Sequence, residues 1–200
     1  MYSRIDIPDN ETISSFFPEK GDFSYIALSG REIEDSAFSD SIIQYGDLTS
    51  TIIRRTEFRN TDLSNTNIDS SHEVDVEFDS CLLTGTSFLK STLKKVRIKN
   101  SKGLYTVFSS IRADEIIFEN SDFTDSDFSH MTGRKIVFRN CHLKSCSFVG
   151  TMLKDIRFQN TDLDGAYLSS DAHEARGATL SLDNALSVLS SLGIKVDMTR

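Results

Sequence analysis

The chain has 200 residues, with the 38% hydrophobic and 26% charged content of an ordinary soluble globular protein. Its 30 acidic and 22 basic residues give a formal net charge of −8, which argues against direct binding to nucleic acid, because such binders neutralise phosphates with basic residues. The cysteines are odd in number, three, and form no CxxC motif, so neither a disulfide framework nor a metal site is expected.

The N-terminal segment lacks the basic start, apolar centre and small-residue cleavage site of a secretion signal. No apolar run in the chain approaches the ~18 residues that a membrane span needs. We therefore expect a cytoplasmic protein. Residues 1–20 are predicted to form an N-terminal cap on the repeat that follows them, because the first coil of a stacked structure exposes an unpaired edge.

A repeat of five residues runs through positions 21–170 without insertion or deletion, and 26 of its 30 centres, starting at Phe23, are Phe, Leu or Ile. Positions two residues before the centres are small or apolar at 29 of 30 places, with Arg31 as the exception. Cys81, Cys141 and Cys146 all fall there, so we expect reduced thiols that fill interior space. A period of five fits neither a helix nor a continuous strand. It indicates short extended segments separated by turns, stacked as a solenoid.

Residues twenty positions apart alternate in charge. One series consists of Arg55, Asp75, Lys95, Glu115, Lys135 and Asp155. A second consists of Arg59, Asp79, Lys99, Glu119 and Arg139. Opposite charges on neighbouring strands stabilise a sheet, so we predict four pentads per coil and a four-sided β-helix. The 30 pentads then form about 7.5 coils. A third series is predicted to mark one corner: Asp40, Asn60, Ser80, Asn100, Asn120, Asn140 and Asn160.

The four sides are predicted to differ in regularity. The side with phenylalanine at most of its centres should form the most regular sheet. The side before it has Glu73, Ala113 and Gly133 at its centres, where we expect irregular backbone, a bulge or a local opening. Ser71, His72 and Glu73 lie together on that side. We interpret them as a polar defect tolerated at the surface, with a functional site as the alternative.

Residues 171–200 follow the repeat and are predicted to cap it. Ser181 is a plausible helix N-cap and Gly193 a C-terminal stop, which predicts a short helix between them. An apolar helix face and a following short strand are predicted from Leu182, Leu186, Leu189, Leu192, Ile194 and Val196. Two roles remain open for this segment: it seals the last coil, or it joins two copies of the chain.

A resemblance to the pentapeptide-repeat family covers residues 21–170 and rests on stretches such as TEFRNTDLSNTNI and SDFTDSDFSH. The tail resembles the C-terminus of the Qnr, MfpA and albicidin-resistance type, in the stretch GATLSLDNALSVLSSLGIKVD. The resemblance implies an all-β, right-handed quadrilateral β-helix that dimerises through a C-terminal helix and strand. It also implies an acidic rod that mimics duplex DNA, binds DNA gyrase or topoisomerase IV, and inhibits the enzyme or protects it from fluoroquinolones.

Outward aspartates supply the predicted partner-binding strip: Asp22, Asp62, Asp122 and Asp162 on one side, Asp47 and Asp127 on the next, Asp125 at the corner between them, and Asp164 at the same corner further on. Lys102 and His142 interrupt the first column. A basic cluster in the middle of the rod weakens simple mimicry: Lys90, Lys94, Lys95, Arg97, Lys99 and Lys102. The uninterrupted register matches members of that type without loops, which favours gyrase binding or inhibition over drug protection.

The alternative function is a structural or scaffolding pentapeptide-repeat protein with an unrelated protein partner. An enzyme is not expected, because the four histidines belong to no catalytic motif and no glycine-rich phosphate loop occurs. No cofactor or metal is expected either. The predicted partners are the topoisomerase and a second copy of the chain, without direct contact to nucleic acid or membrane.

Overall fold

A computed structural model describes residues 3, 4, 7 and 11–197, which form a parallel β-solenoid of about seven coils followed by one short helix. The strands are β1 (Ser3–Arg4), β2 (Thr12–Ser14), β3 (Gly21–Asp22), β4 (Glu32–Glu34), β5 (Ala37–Ser39), β6 (Ile52–Arg59), β7 (His72–Asp79), β8 (Thr92–Lys99), β9 (Arg112–Glu119), β10 (Thr132–Arg139) and β11 (Ile156–Gln159). The helices are the 3₁₀ turns η1 (Leu153–Asp155) and η2 (His173–Ala175), and α1 (Leu182–Ser191).

Parallel pairing between residues twenty apart connects the coils. The main sheet runs in the order β11-β10-β9-β8-β7-β6-β4-β2, with β5 also paired to β6. The other half of each coil is joined by single bridges with the same offset, such as Asp62 with Leu82 and Asp47 with Asn67. The predicted quadrilateral β-helix with four pentads per coil is therefore confirmed.

The corners of the square are residues with left-handed backbone conformation, and they recur every five positions. The predicted corner column is one of the four. Asn140 has a φ of 51° there and donates a side-chain hydrogen bond of 2.9 Å to Asn120, while Asn60 donates one of 2.5 Å to Asp40. Asn and Asp tolerate this conformation better than other non-glycine residues, which explains their place in this column.

Stacked phenylalanine rings fill the interior. The Phe118 and Phe138 rings are parallel with centroids 4.5 Å apart, and Phe118 also meets Phe108 and Phe128 edge to face. Both arrangements are favourable for aromatic quadrupoles. The side predicted to be the most regular shares the eight-residue strands β6 to β10 with the side before it. It is the more regular of the two only in the last coil, where it forms β11 while the side before it forms η1.

The side with the unusual centres is more regular than predicted. Strands β7 and β9 run without interruption through Glu73 and Ala113, so the expectation of irregular backbone is wrong at those two positions. Large residues two places earlier compensate for the small centres, since Ile111 and Met131 are both buried. At Gly133, β10 continues without a break and pairs with β9, but residues 132–135 are all exposed.

Gly133 is required by the close approach of the neighbouring coil. Its φ is +148°, and a Cβ atom built there would lie 1.9 Å from the carbonyl oxygen of Ala113. Gly103 has a related role, because a Cβ atom there would lie 2.6 Å from the ring of Phe123. The Phe123 side chain thus occupies the space that a larger residue at position 103 would need.

The parallel stack begins within the N-terminal segment. Strand β2 pairs with β4 in the same twenty-residue register, and Ile13 is buried at the position of a pentad centre. Part of the expected cap, residues 1, 2, 5, 6 and 8–10, lies outside the described residues. In the part of the chain that is described, no helix is long and apolar enough to cross a bilayer.

The three cysteines are buried and free, as predicted. Burial raises the pKa of the Cys81 and Cys146 thiols to about 12, so both stay protonated at neutral pH. They pack as small apolar residues in the interior column.

Candidate partner-binding surface

Charge is distributed unequally around the square. Residues 21–30 and their equivalents in each later coil, to 161–170, form two adjacent sides that we name the aspartate sides. They carry nine aspartates and three lysines, with no glutamate or arginine. Residues 11–20 and their equivalents, to 151–160, form the other two sides, named the ion-pair sides. These carry fifteen acidic and fifteen basic residues, so a net charge of −6 out of −8 belongs to the aspartate sides.

The predicted strip lies on the aspartate sides. Asp22, Asp62, Asp122 and Asp162 share one bridged column, in which Ile42, Leu82, Lys102 and His142 occupy the intervening coils. Asp47 and Asp127 lie in the bridged column of the next side. Asp125 occupies the corner between the two sides with a φ of 60°. The placement of Asp164 at that corner is wrong, because Gly165 occupies the corner and Asp164 precedes it.

Six aspartates of the strip also stabilise the turns. In each, Oδ1 accepts a hydrogen bond from the backbone N–H two residues later, as in Asp122 with Thr124 at 3.0 Å and Asp127 with Ser129 at 2.8 Å. This is the Asx-turn geometry that makes Asp and Asn frequent before turns. Asn67 makes the same contact with the N–H of Asp69 at 2.9 Å. The fold therefore accepts asparagine at these positions, and the negative charge is not needed for the turn.

Cross-coil ion pairs balance the remaining two sides. Arg134 contacts Asp114 at 2.8 Å, Arg139 contacts Glu119 at 2.9 Å, and Arg55 contacts Asp35 at 2.6 Å. The pair of Arg139 with Glu119 belongs to a predicted series, Asp35 extends the series of Arg55 by one coil, and the pair of Arg134 with Asp114 was not predicted. The Arg55 guanidinium also holds the pKa of the Asp35 carboxyl below its usual range.

The basic cluster of the middle coil lies mostly on the ion-pair sides. Four of its six members are in β8, between the acidic residues of β7 and β9, and Lys99 contacts Glu77 at 2.9 Å and Asp79 at 3.3 Å. Only Lys90 and Lys102 belong to the aspartate sides. The cluster therefore weakens the acidic strip much less than its composition predicts.

Glu73 is fully buried, so the interpretation of this position as a surface defect is wrong. Its Oε1 accepts a hydrogen bond of 2.6 Å from the Ser71 hydroxyl, and Oε2 has no partner among the described residues. Burial raises the pKa of the Glu73 carboxyl to about 8, which keeps it neutral at pH 7. The register could have revealed this, because a pentad centre points inward. His72, one residue earlier, points outward and is exposed.

The C-terminal helix matches its predicted bounds. Ser181 accepts a hydrogen bond from Asn184 N at 3.2 Å as N-cap, and Gly193 follows the helix with a φ of 75°. Asn184 and Val188, not the leucine face, are the helix residues that are buried. Leu182 is 70% exposed, and Leu186, Leu189 and Leu192 are half-buried. The three half-buried leucines are thus partly covered within the chain, whereas Leu182 is open to solvent.

The predicted terminal strand is wrong for the described part of the tail. Ile194 and Val196 are 50% and 43% exposed, and neither lies in a strand. Two residues cannot form a strand without a partner edge, because backbone pairing provides most of the stabilisation of such a short segment.

Two family models match the repeat. A model described as a pentapeptide repeat region matches residues 71–148, and a model of eight copies of the pentapeptide repeat matches residues 134–169. The chain is a pentapeptide-repeat protein.

Solved structures similar to this pentapeptide-repeat protein include full-length QnrB1, a plasmid-mediated fluoroquinolone resistance protein. The identity is 15% over 92% of this chain and 100% of that chain, with a TM-score of 0.37. A trypsin-treated QnrB1 is 16% identical over 83% of this chain and 97% of that chain, with a TM-score of 0.39. HetL of the cyanobacterium Nostoc sp. strain PCC 7120 is a protein involved in heterocyst differentiation regulation. It is 8% identical over 81% of this chain and 91% of that chain, with a TM-score of 0.28. A search of curated proteins found no match.

Two capping side chains of the pentapeptide-repeat protein were not predicted from the sequence. Glu174 is fully buried and accepts a hydrogen bond of 2.7 Å from Gly150 N, where the carbonyl of a following coil would otherwise lie. Asn184 Oδ1 accepts one of 3.3 Å from Leu163 N in the same way. Burial disfavours the charged form of Glu174, but hydrogen bonds from Gly150 and Ser169 hold the pKa of its carboxyl below the ordinary value. A single buried polar residue outside the repeat gives no periodic signal, which is why both were missed.

Glu174 also belongs to a group of possible metal ligands, since ligand atoms of Asp171, His173 and Glu174 lie within 4.8 Å of one another. Both Glu174 oxygens accept hydrogen bonds, from Gly150 N and from Ser169. His173 Nδ1 is 2.9 Å from Asp171 Oδ1, and this contact raises the pKa of the histidine. The group therefore serves as the cap of the last coil.

Proposed function

We propose that this pentapeptide-repeat protein is a binding protein whose aspartate sides occupy the basic DNA-binding groove of DNA gyrase or topoisomerase IV. By mimicking duplex DNA it inhibits the enzyme or protects it from topoisomerase poisons. The observation that carries this proposal is the concentration of nine aspartates against three lysines on two adjacent sides of a rod. A basic groove is attracted to such a surface at long range.

The charge density of the strip determines how closely its electrostatic attraction for a basic groove approaches that of duplex DNA. The aspartate sides recur at eight stacked levels, and the seven spacings of about 4.8 Å between them make a strip of about 34 Å. A net charge of −6 over that length is one charge per ~6 Å, against one per ~1.7 Å for duplex DNA. The electrostatic attraction is therefore weaker than that of DNA. We expect binding that depends on salt, with a smaller slope than DNA shows.

The choice of a topoisomerase among basic partners rests on the resemblance of residues 177–197 to the Qnr and MfpA type. The leucine face of α1, in which Leu182 is exposed and the other three leucines are half-buried, is consistent with the dimer that this type forms, and we propose a homodimer through this face. We further propose a cytoplasmic protein without enzymatic activity. Its most perturbed carboxyl, Glu73, is enclosed in the core where no substrate reaches it.

A supercoiling assay with DNA gyrase, with and without a fluoroquinolone, tests the proposal. The informative variant is Asp62→Asn/Asp122→Asn, which removes two charges and keeps the Asx turns, as Asn67 shows. The matched control is Asp75→Asn/Asp155→Asn, which removes two charges from the ion-pair sides. We expect the wild-type protein to change supercoiling or drug sensitivity, the first variant to act more weakly, and the control to act like the wild type.

A scaffolding protein with an unrelated partner is the second candidate, and the gapped, diluted charge of the strip favours it. Lys102 lies in the acidic column between the coils of Leu82 and Asp122. No effect of the wild-type protein in either arm of the supercoiling assay would favour the scaffold and exclude the topoisomerase.

A further inference from the structure

The described tyrosines are all on the surface, and all on the aspartate sides. Tyr25, Tyr45, Tyr105 and Tyr167 are 75%, 51%, 59% and 60% exposed. The first three share the corner between the two aspartate sides, and we name them the tyrosine ridge. The Tyr25 and Tyr45 rings are stacked, with centroids 5.2 Å apart and planes 9° from parallel. Tyr105 lies three coils further on, about 14 Å from Tyr45 along the rod.

The fold does not require tyrosine at this corner. The same column contains Asn65, Gly85 and Asp125, which adopt the left-handed conformation at lower cost than an aromatic residue. The phenylalanines at pentad centres fill the core, yet the ridge side chains are more than half exposed to solvent. An exposed aromatic row that costs backbone energy and adds nothing to the core indicates a contact surface.

The surroundings of the ridge indicate the chemistry of its partner. Aspartates flank it on both sides, with Asp22 and Asp62 in one column and Asp47 in the other. Carboxylates pair with arginine through two parallel hydrogen bonds, and tyrosine faces attract the planar, weakly hydrated guanidinium group. Tyrosine and arginine also dominate the energetic centres of protein interfaces.

We propose that the tyrosine ridge is the contact centre of the aspartate sides and that it selects a protein surface rich in arginine over one rich in lysine. This proposal adds a partner chemistry to the proposed function. It rests on the proposed function only in one respect, namely that the partner binds the aspartate sides. It is tested without a topoisomerase, so the two can fail separately.

Nona-arginine and nona-lysine peptides of equal charge are the probes, and titration calorimetry measures their dissociation constants. The chain contains no tryptophan, so tyrosine fluorescence reports binding independently. We expect the wild-type protein to bind nona-arginine about fivefold more tightly or better, from the cation–π attraction of the exposed rings. The Asp62→Asn/Asp122→Asn variant should bind both peptides more weakly, by similar factors, because the negative charge of the aspartates attracts both.

Removal of the ridge should abolish the selectivity. The variant Tyr25→Asn/Tyr45→Asn/Tyr105→Asn introduces the residue that already stands at position 65 of the same corner. Its dissociation constants for the two peptides should differ by no more than twofold, and its affinity for nona-lysine should be nearly that of the wild type. Tyr105→Asn alone, with a smaller expected loss of selectivity, serves if the triple variant fails to fold.

The control is Phe17→Ala, which removes an aromatic side chain that is 66% exposed on the ion-pair sides. Ala37 stands at the equivalent position of the next coil, so the fold accepts the change. This control should keep the wild-type selectivity. No binding of either peptide, equal wild-type affinities, selectivity that survives in the triple variant, or equal loss in the control would each overturn the proposal.

Discussion

Replacing Glu73 with glutamine should stabilise the protein at high pH and change little at low pH. The carboxyl has a pKa of about 8 in the folded protein against an ordinary value of 4.5, because burial disfavours its charged form. The folded state therefore binds the proton more tightly than the unfolded state. The contribution of Glu73 to stability is complete below pH 4.5 and is lost as the pH rises from there to about 8.

The magnitude follows from the size of the shift. At 1.36 kcal/mol per pH unit, the stability lost reaches about 3 kcal/mol at pH 7, where the carboxyl is ionised in the unfolded chain but still neutral in the folded one, and about 5 kcal/mol above pH 8. Glutamine keeps the shape and cannot ionise. The difference in unfolding free energy between the Glu73→Gln variant and the wild type should therefore grow by about 5 kcal/mol between pH 4.5 and pH 9.

Urea denaturation at pH 4.5, 7 and 9, followed by circular dichroism, measures this difference. Asp75→Asn is the control, since Asp75 lies on the same strand and is exposed, and its difference from the wild type should stay nearly constant. A Glu73→Gln difference that is independent of pH, or that shrinks as the pH rises, would refute the burial of an uncharged carboxyl in the core.

Three further changes test the packing and the tail. Phe118→Ala should lower the unfolding free energy by about 3–5 kcal/mol, and a loss below about 1 kcal/mol in urea denaturation would contradict the stacked core. Gly133→Ala should reduce the melting temperature sharply, because the new Cβ meets the Ala113 carbonyl oxygen at 1.9 Å; an unchanged melting temperature would mean that the coils are further apart. Leu186→Ser/Leu189→Ser should yield monomers by light scattering, and a dimer that persists would place the interface elsewhere.

The periodic part of the fold was predictable because each of its rules repeats in every coil. Inward centres, small residues two places earlier and charges that alternate every twenty positions specify the register many times over. Arg139 and Glu119, predicted as stacked neighbours from charge alone, form an ion pair of 2.9 Å. An error at any single position could not have changed that register.

The strip was predictable only in part. The aspartates were placed on the correct sides, but the effect of the basic cluster was overestimated. The register that stacks Lys99 on Asp79 already places four of the six basic residues on the ion-pair sides, and the structure adds the contact of Lys99 with Glu77. The tyrosine ridge was also not predicted, although Tyr25, Tyr45 and Tyr105 are separated by multiples of twenty and therefore fall in one column. The structure adds that all three rings are exposed.

The sequence by itself determined the architecture of this protein: a square coil of twenty residues, its interior columns and the limits of its C-terminal helix. These follow from local spacing and from contacts between residues at a constant separation. Only the tertiary structure showed what happens at the positions that depart from the repeat or lie outside it. Glu73 became a neutral core residue, Glu174 and Asn184 became caps, and the terminal strand did not form. Each of these depends on which neighbour is present at one place in space, and a repeat carries no information about a contact that occurs once.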